Sequence, residues 1–243
     1  MSGNRGNHKQ FGQGSSADNL PSVVAAAHEL KSPLALIRQL SLMLETSDMT
    51  PIESTRMLRQ ISLTSERALR LTGDLTKSVR LSDALFQLEP INPQQLCEDI
   101  ISELTPLYTA HGRSLQLKSR KRHSLLVVAN RDLLRRVIMN FSDNALHYSG
   151  QKGAIELQIA SIDHGSTVRL GIRDYGPGLS SDMWNKLTHG VQSLHARPQS
   201  SGLGLYIASQ FADAMQARIG AVRHRDGATF YVDLIASRQL SLL

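Results

Sequence analysis

Val23, Ala27, Leu30, Leu34, Ile37, Leu40 and Leu44 recur at spacings of three and four residues. That is the apolar stripe of a helix packed in a bundle. A break follows at "TSDMTPIE", where Thr50 offers an N-cap, Pro51 a first helical residue and Glu53 the returning acid of a capping box. A second helix is predicted from there to about Leu85, with Ile61, Ala68, Leu71, Leu75 and Val79 among its apolar positions. Two long helices joined by a short turn make an antiparallel hairpin. A lone hairpin leaves its stripes half-covered, and pairing of two copies into a four-helix bundle buries them.

Past Pro90 the texture changes. "NPQQLCEDIISELTPLYTAHG" opens on an Asn92–Pro93 cap and closes on Gly112, so it reads as a helix. Strand-like runs follow at 114–117 and 125–128, then a helix over 132–148 and two strands at 154–161 and 167–173. A Gly/Ser/Pro-containing stretch of nearly thirty residues separates these from a helix over 204–215 and a hairpin at 219–224 and 228–234. So long a loop inside a compact domain is uncommon unless it is functional. The predicted class is α+β: a helical hairpin forming a dimeric four-helix bundle, then a two-layer α/β sandwich. The predicted divisions are a flexible polar lead-in over 1–19, the hairpin over 20–88 and the sandwich over 89–238.

Composition bounds the rest. Of 243 residues 41% are hydrophobic and 20% charged, the profile of an ordinary globular protein. The single cysteine, Cys97, forbids an internal disulfide and is expected to be packed rather than reactive. No apolar run is long enough to cross a bilayer, and the polar first residues lack the apolar core of a signal peptide. A cytoplasmic location without membrane contact is therefore expected, with the chain free to be the soluble part of something longer. The net charge of +6 is spread out, and no aromatic residue lies beside the one dense basic cluster, Lys118 to His123. A nucleic-acid partner is not expected.

Four short stretches carry chemistry. "DYGPGLS" sets Asp174, Gly176 and Gly178 at the end of a strand, and "SSGLGLYIA" sets Gly202, Leu203 and Gly204 at the opening of a helix. Glycines there let backbone N–H groups approach an anion, which the positive end of the helix dipole also favours. In "RRVIMNFSDNALHYS", Asn140 and Asn144 share a helix face, with Asp143 close by and His147 one turn on. Mid-helix asparagines compete for backbone hydrogen bonds, so two on one face suggest a task such as holding hydrated Mg²⁺ against phosphates. Finally, "AHELKSPLALI" places His28 beside Glu29, four residues before Pro33. A neutral imidazole offers one nitrogen for attack, and an adjacent carboxylate can take the proton from the other. Pro33 has no N–H for the carbonyl of Glu29, so the helix is expected to bend there.

Together these stretches resemble the two-component sensor histidine kinases. His28 to Leu34 is similar to their H-box, Asn140 to Ser149 to their N-box, Asp174 to Leu179 to their G1 box and Ser201 to Leu205 to their G2 box. Order and spacing agree, over about residues 20 to 236. The resemblance implies a dimerisation and phosphotransfer hairpin followed by a Bergerat-type ATP-binding domain with a lid over the nucleotide. It implies that Asp174 binds the adenine amino group and that Gly176, Gly178, Gly202 and Gly204 shape the lid hinges. Asn144, with Asn140 nearby, would serve Mg²⁺ and the phosphates, and His147 and Tyr148 would line the ATP pocket. His28 would be the phosphoacceptor, Glu29 its base, and the aspartate of a response-regulator receiver domain the next acceptor.

The chain departs from the family pattern at four places. His147 stands where lysine is usual and Ser200 where the G2 box usually has its first glycine. The Phe-containing lid box is weak, with Met183, Trp184 and Leu187 as its nearest match. Ser32 occupies the position where members with phosphatase activity usually carry Thr or Asn. Two rivals remain. Gyrase-like ATPases need a water-activating glutamate about where this chain has Asn140, which disfavours net hydrolysis. A degenerate module would bind nucleotide or partner without transferring phosphate.

Overall fold

The computed structural model describes residues 7–10, 20–79, 86–119, 125–149, 154–176, 178 and 203–240. Helices α1 (Leu20–Thr46) and α2 (Pro51–Val79) form the expected hairpin. The turn between them closes as the sequence predicts. The Thr50 N–H donates to Glu53 Oε2 at 3.0 Å, and the Glu53 N–H donates back to Thr50 Oγ1 at 3.3 Å. α1 runs through Pro33 as one helix. Within a single chain the stripe is half covered: Leu40 is buried, Leu30, Ile37 and Leu44 are half-buried and Leu34 is exposed, while Leu42 and Met43 beside it and Leu58 and Leu69 on α2 are exposed as well.

After the short strand β2 (Glu89–Ile91) come α3 (Pro93–Ala110), β3 (Leu115–Ser119), β4 (Leu125–Ala129) and α4 (Arg131–Tyr148). Both helices start on an asparagine cap: Asn92 accepts from the N–H groups of Gln94 and Gln95, Asn130 from that of Leu133. Strands β5 (Ile155–Ile162) and β6 (Thr167–Asp174), helix α5 (Leu203–Ala214) and the hairpin β7 (Arg218–His224) and β8 (Gly227–Leu240) complete the chain. The sheet runs β7-β8-β6-β5-β3, antiparallel except for the parallel β3–β5 pair. β8 runs on to residue 240, past the expected boundary at 238, and its far end pairs β4, which in turn pairs β2. Leu133, Val137, Ile138 and Phe141 of α4 and Ile207 and Phe211 of α5 join the sheet residues in one core. Phe141 lies 6.0 Å from Phe230 between ring centroids, and the buried Tyr108 hydroxyl donates to the Ser142 carbonyl at 2.8 Å. Cys97 is fully buried and burial pushes its thiol up, so it is packed as expected.

Part of the lead-in expected over 1–19 is described by the structure. Asn7–Gln10 form a strand, β1, antiparallel to β7, with Asn7 opposite Arg223 and Gln10 opposite Gly220. An edge strand presents unpaired N–H and C=O groups that accept a partner of any side-chain composition, so the polar sequence concealed it.

The hairpin docks on the sandwich through charges that no local pattern announces. Arg136 of α4 pairs with the buried Asp74 of α2 and lies 3.3 Å from Asp132, which also holds Lys77. Arg70 reaches Asp143 at 3.3 Å, with Arg67 at 3.9 Å, and Leu71 and Leu75 pack against the core. Arg136→Met keeps the side-chain stem but strips Asp74 of its cation. We expect a loss of about 2–3 kcal/mol, below the range for fully buried pairs because Arg136 is partly exposed. Asp74→Asn removes the charge itself and should cost less. Thermal unfolding of both variants checks this, and no loss in either would show that the ion pair does not hold the dock.

Candidate nucleotide-binding site

β6 packs on α4 and α4 on α5, and these three elements carry the candidate site residues. Asp174 ends β6 with only 6% of its surface exposed, and its Oδ1 accepts N–H donors from Gly176 at 3.1 Å and Ala228 at 3.3 Å. Burial pushes its carboxyl above the ordinary aspartate range; the two N–H groups and the neighbouring Arg173 offset only part of this. A half-desolvated carboxylate at a strand end is built to receive a donor from a ligand. Gly178, two residues past Gly176, has a φ of +75° and lies against the carbonyls of His224 and Gly227.

The second wall is α4. Asn140 is nearly buried, and its Nδ2 donates to the Arg136 carbonyl at 3.0 Å, which fixes the amide's orientation. The third wall is the first turn of α5, where Gly204 meets the asparagines. A β-carbon at Gly204 would stand 3.3 Å from Asn140 Oδ1 and 3.9 Å from Asn144 Oδ1. The missing side chain therefore opens a cradle between two amide oxygens and the N-terminal turn of a twelve-residue helix. Oxygen donors and few protein ligands suit Mg²⁺ beside phosphates, so the residues present fit that ion.

The expected neighbour Asp143 turns away. It faces α2, as the partner of Arg67 and Arg70, and serves docking rather than the cradle. α5 packs against α4 and touches both hairpin helices, so the helix that opens the cradle also meets the helix that carries residue 28. Ser32 is exposed on α1. His28 and Glu29 lie in α1, His147 and Tyr148 in the last turn of α4 and Leu203 at the start of α5, but their side chains lie outside the described residues. So do Gly202 and the presumed lid, including Met183, Trp184, Leu187 and Ser200. Among the described residues no cluster of three His, Cys, Asp or Glu side chains could hold a metal ion, and no helix is long and apolar enough to cross a membrane.

Residues 129–238 match the family of histidine kinase-, DNA gyrase B- and HSP90-like ATPases. Over 207 residues the chain is 30% identical to the sensor protein kinase PmrB of Pseudomonas aeruginosa, covering 83% of this chain and 42% of PmrB. By both matches the chain is similar to the catalytic cores of two-component sensor histidine kinases. Its fold is that of solved kinase cores. A crystal structure of full-length ShkA with AMPPNP superposes with a TM-score of 0.60 at 21% identity, covering 91% of this chain and 47% of ShkA. The histidine kinase ThkA, solved in complex with the response regulator protein TrrA, superposes with a TM-score of 0.60 at 16% identity, covering 88% of this chain and 61% of ThkA. The chain spans about a quarter to just over half the length of the curated relatives it matches.

Sequence reasoning missed several residues around the site. Arg136, Asp74, Arg70, Arg173, Asp226 and Gly227 all matter through partners roughly fifty to seventy positions away or through a turn geometry that one position does not reveal. Only the "DG" of the β7–β8 turn was a visible signal.

Proposed function

We propose that the chain autophosphorylates His28 from Mg-ATP and passes the phosphoryl group to an aspartate of a response-regulator receiver domain. The observation that carries this is the cradle itself: two amide oxygens and a glycine-opened helix N-terminus on an ATPase fold, in a helix that touches the hairpin bearing residue 28. Asp174 would accept the amino group of adenine, and the first turn of α5 would direct N–H groups at the phosphates. Asn144, with Asn140, would hold Mg²⁺, which when bound neutralises the phosphate charge. Glu29 would take the proton from one imidazole nitrogen while the other attacks the γ-phosphorus in line. An N–P bond forms, the bond to the bridging oxygen breaks, and ADP leaves. Pairing of two chains through the exposed Leu34, Leu42, Leu58 and Leu69 would complete the four-helix bundle.

Incubation with Mg²⁺ and γ-labelled ATP tests the reading. The expected label is lost in acid and survives alkali, as an N–P bond requires. The second reading, a module that holds nucleotide without transferring phosphate, is favoured by His147 in the place of a fixed positive charge. Nucleotide binding without label would put it first.

A further inference from the structure

Arg173 precedes Asp174 on β6 and is almost as deeply buried, at 6% exposed. Its guanidinium donates to the main-chain carbonyls of Asp174 and Ala228, the latter at 3.4 Å, and to that of Asp226 at 3.4 Å. It pairs with the Asp226 carboxylate at 2.6 Å and lies 4.3 Å from the centroid of the Tyr175 ring. The Tyr175 hydroxyl in turn donates to Glu156 at 3.0 Å. Burying a guanidinium is costly, and where stability alone is at stake an apolar side chain does as well. Here its donors are spent on three carbonyls that lie at the end of β6, in the turn joining β7 to β8 and at the start of β8.

That turn has no slack. Gly227 adopts a φ of +134°, and a β-carbon there would collide with the Asp174 carbonyl and the Arg173 guanidinium. From the same turn comes the Ala228 N–H that meets Asp174 Oδ1, and Gly178 rests on the Gly227 and His224 carbonyls. Among the described residues, the N–H groups of Gly176 and Ala228 both donate to Asp174 Oδ1. One oxygen of the carboxylate is thus spent on the protein, which leaves Oδ2 as the acceptor for a ligand.

We infer that the Arg173–Asp226 clamp is a positioning device for base selection: by locking the β7–β8 turn onto the end of β6, it sets which oxygen of Asp174 faces the nucleotide base. This rests on the reading of Asp174 as the base-binding carboxylate. A clamp of this kind acts on adenine discrimination. A merely structural clamp would weaken every nucleotide alike.

The test uses the full chain and calorimetric binding of ADP and GDP, with Arg173→Gln, Arg173→Lys, Asp226→Asn and Asp174→Asn compared with the parent. Asp226 is 68% exposed in its side chain, so Asp226→Asn keeps the experiment decisive even where Arg173→Gln fails to fold. We expect Asp226→Asn and Arg173→Gln to weaken ADP binding by about 3- to 10-fold, the effect of losing one well-placed hydrogen bond. GDP binding should stay unchanged, so the preference for adenine narrows by the same factor, and Arg173→Lys should fall between. Equal weakening of both nucleotides, or no change in either at an unaltered unfolding midpoint, overturns the inference. If Asp174→Asn alone erases the preference, the base reading stands and only the clamp falls. If Asp174→Asn leaves the preference intact, both fall together.

Discussion

His28→Gln is expected to take up no phosphate from γ-labelled ATP above background, a loss of at least about 10³-fold, while it binds nucleotide as the parent does. Glutamine approximates the size of the imidazole and keeps a polar group on α1, but its amide nitrogen has no lone pair for in-line attack. The cradle is built from α4 and the start of α5, and Asp174 ends β6; none of these includes residue 28. Binding and transfer should therefore separate cleanly in this variant. Glu29→Gln should retain some label at a rate lower by about 10²- to 10⁴-fold, the usual contribution of a positioned base. Acid-labile label persisting in His28→Gln would place the phosphoacceptor elsewhere.

Asp174→Asn is expected to lose about 10- to 100-fold in affinity for ATP, the worth of a hydrogen bond to a charged acceptor. The amide would also turn a donor towards the amino group of adenine. The same variant should not be less stable, and the sign follows from the raised carboxyl. Buried Asp174 holds its proton to a higher pH in the folded chain than in the unfolded chain. Below the ordinary aspartate range both states are protonated and the group contributes nothing. As pH rises through the window up to the raised value, the unfolded chain ionises more readily and stability falls, and the loss persists above it. Arg173 beside it and the N–H groups of Gly176 and Ala228 reduce this cost without removing it. Asn at 174 escapes the penalty and still accepts both N–H groups. Its unfolding midpoint at neutral pH should equal or exceed that of the parent, with the difference vanishing near pH 3. A lower midpoint at neutral pH would mean that the carboxylate stabilises the fold and was not selected for the ligand.

Much of the fold was legible because its signals are local. The capping box at Thr50 and Glu53, the asparagine caps at 92 and 130 and the three-and-four spacing of α1 all act over one helical turn, within reach of side chains close in sequence. The polar strand β1 was not legible, since the β7 edge supplies the pairing and the segment adds only a backbone.

The site divides in the same way. Asn140, Asn144, Asp174 and Gly204 could be named from motifs, because each sits at a strand end, a helix start or a shared helix face. That Gly204 stands against both asparagine oxygens is a fact of packing between α4 and α5. The sequence by itself determined which residues could do chemistry: the side chains, their caps and their periodicity. Tertiary structure alone decided that Asp143 serves α2, that Arg136 docks the hairpin on Asp74 and that Arg173 clamps a turn more than fifty residues away. The physical reason is that a charge buried against the chain takes whichever partner folding delivers, and distance in space is not written in the order of the residues.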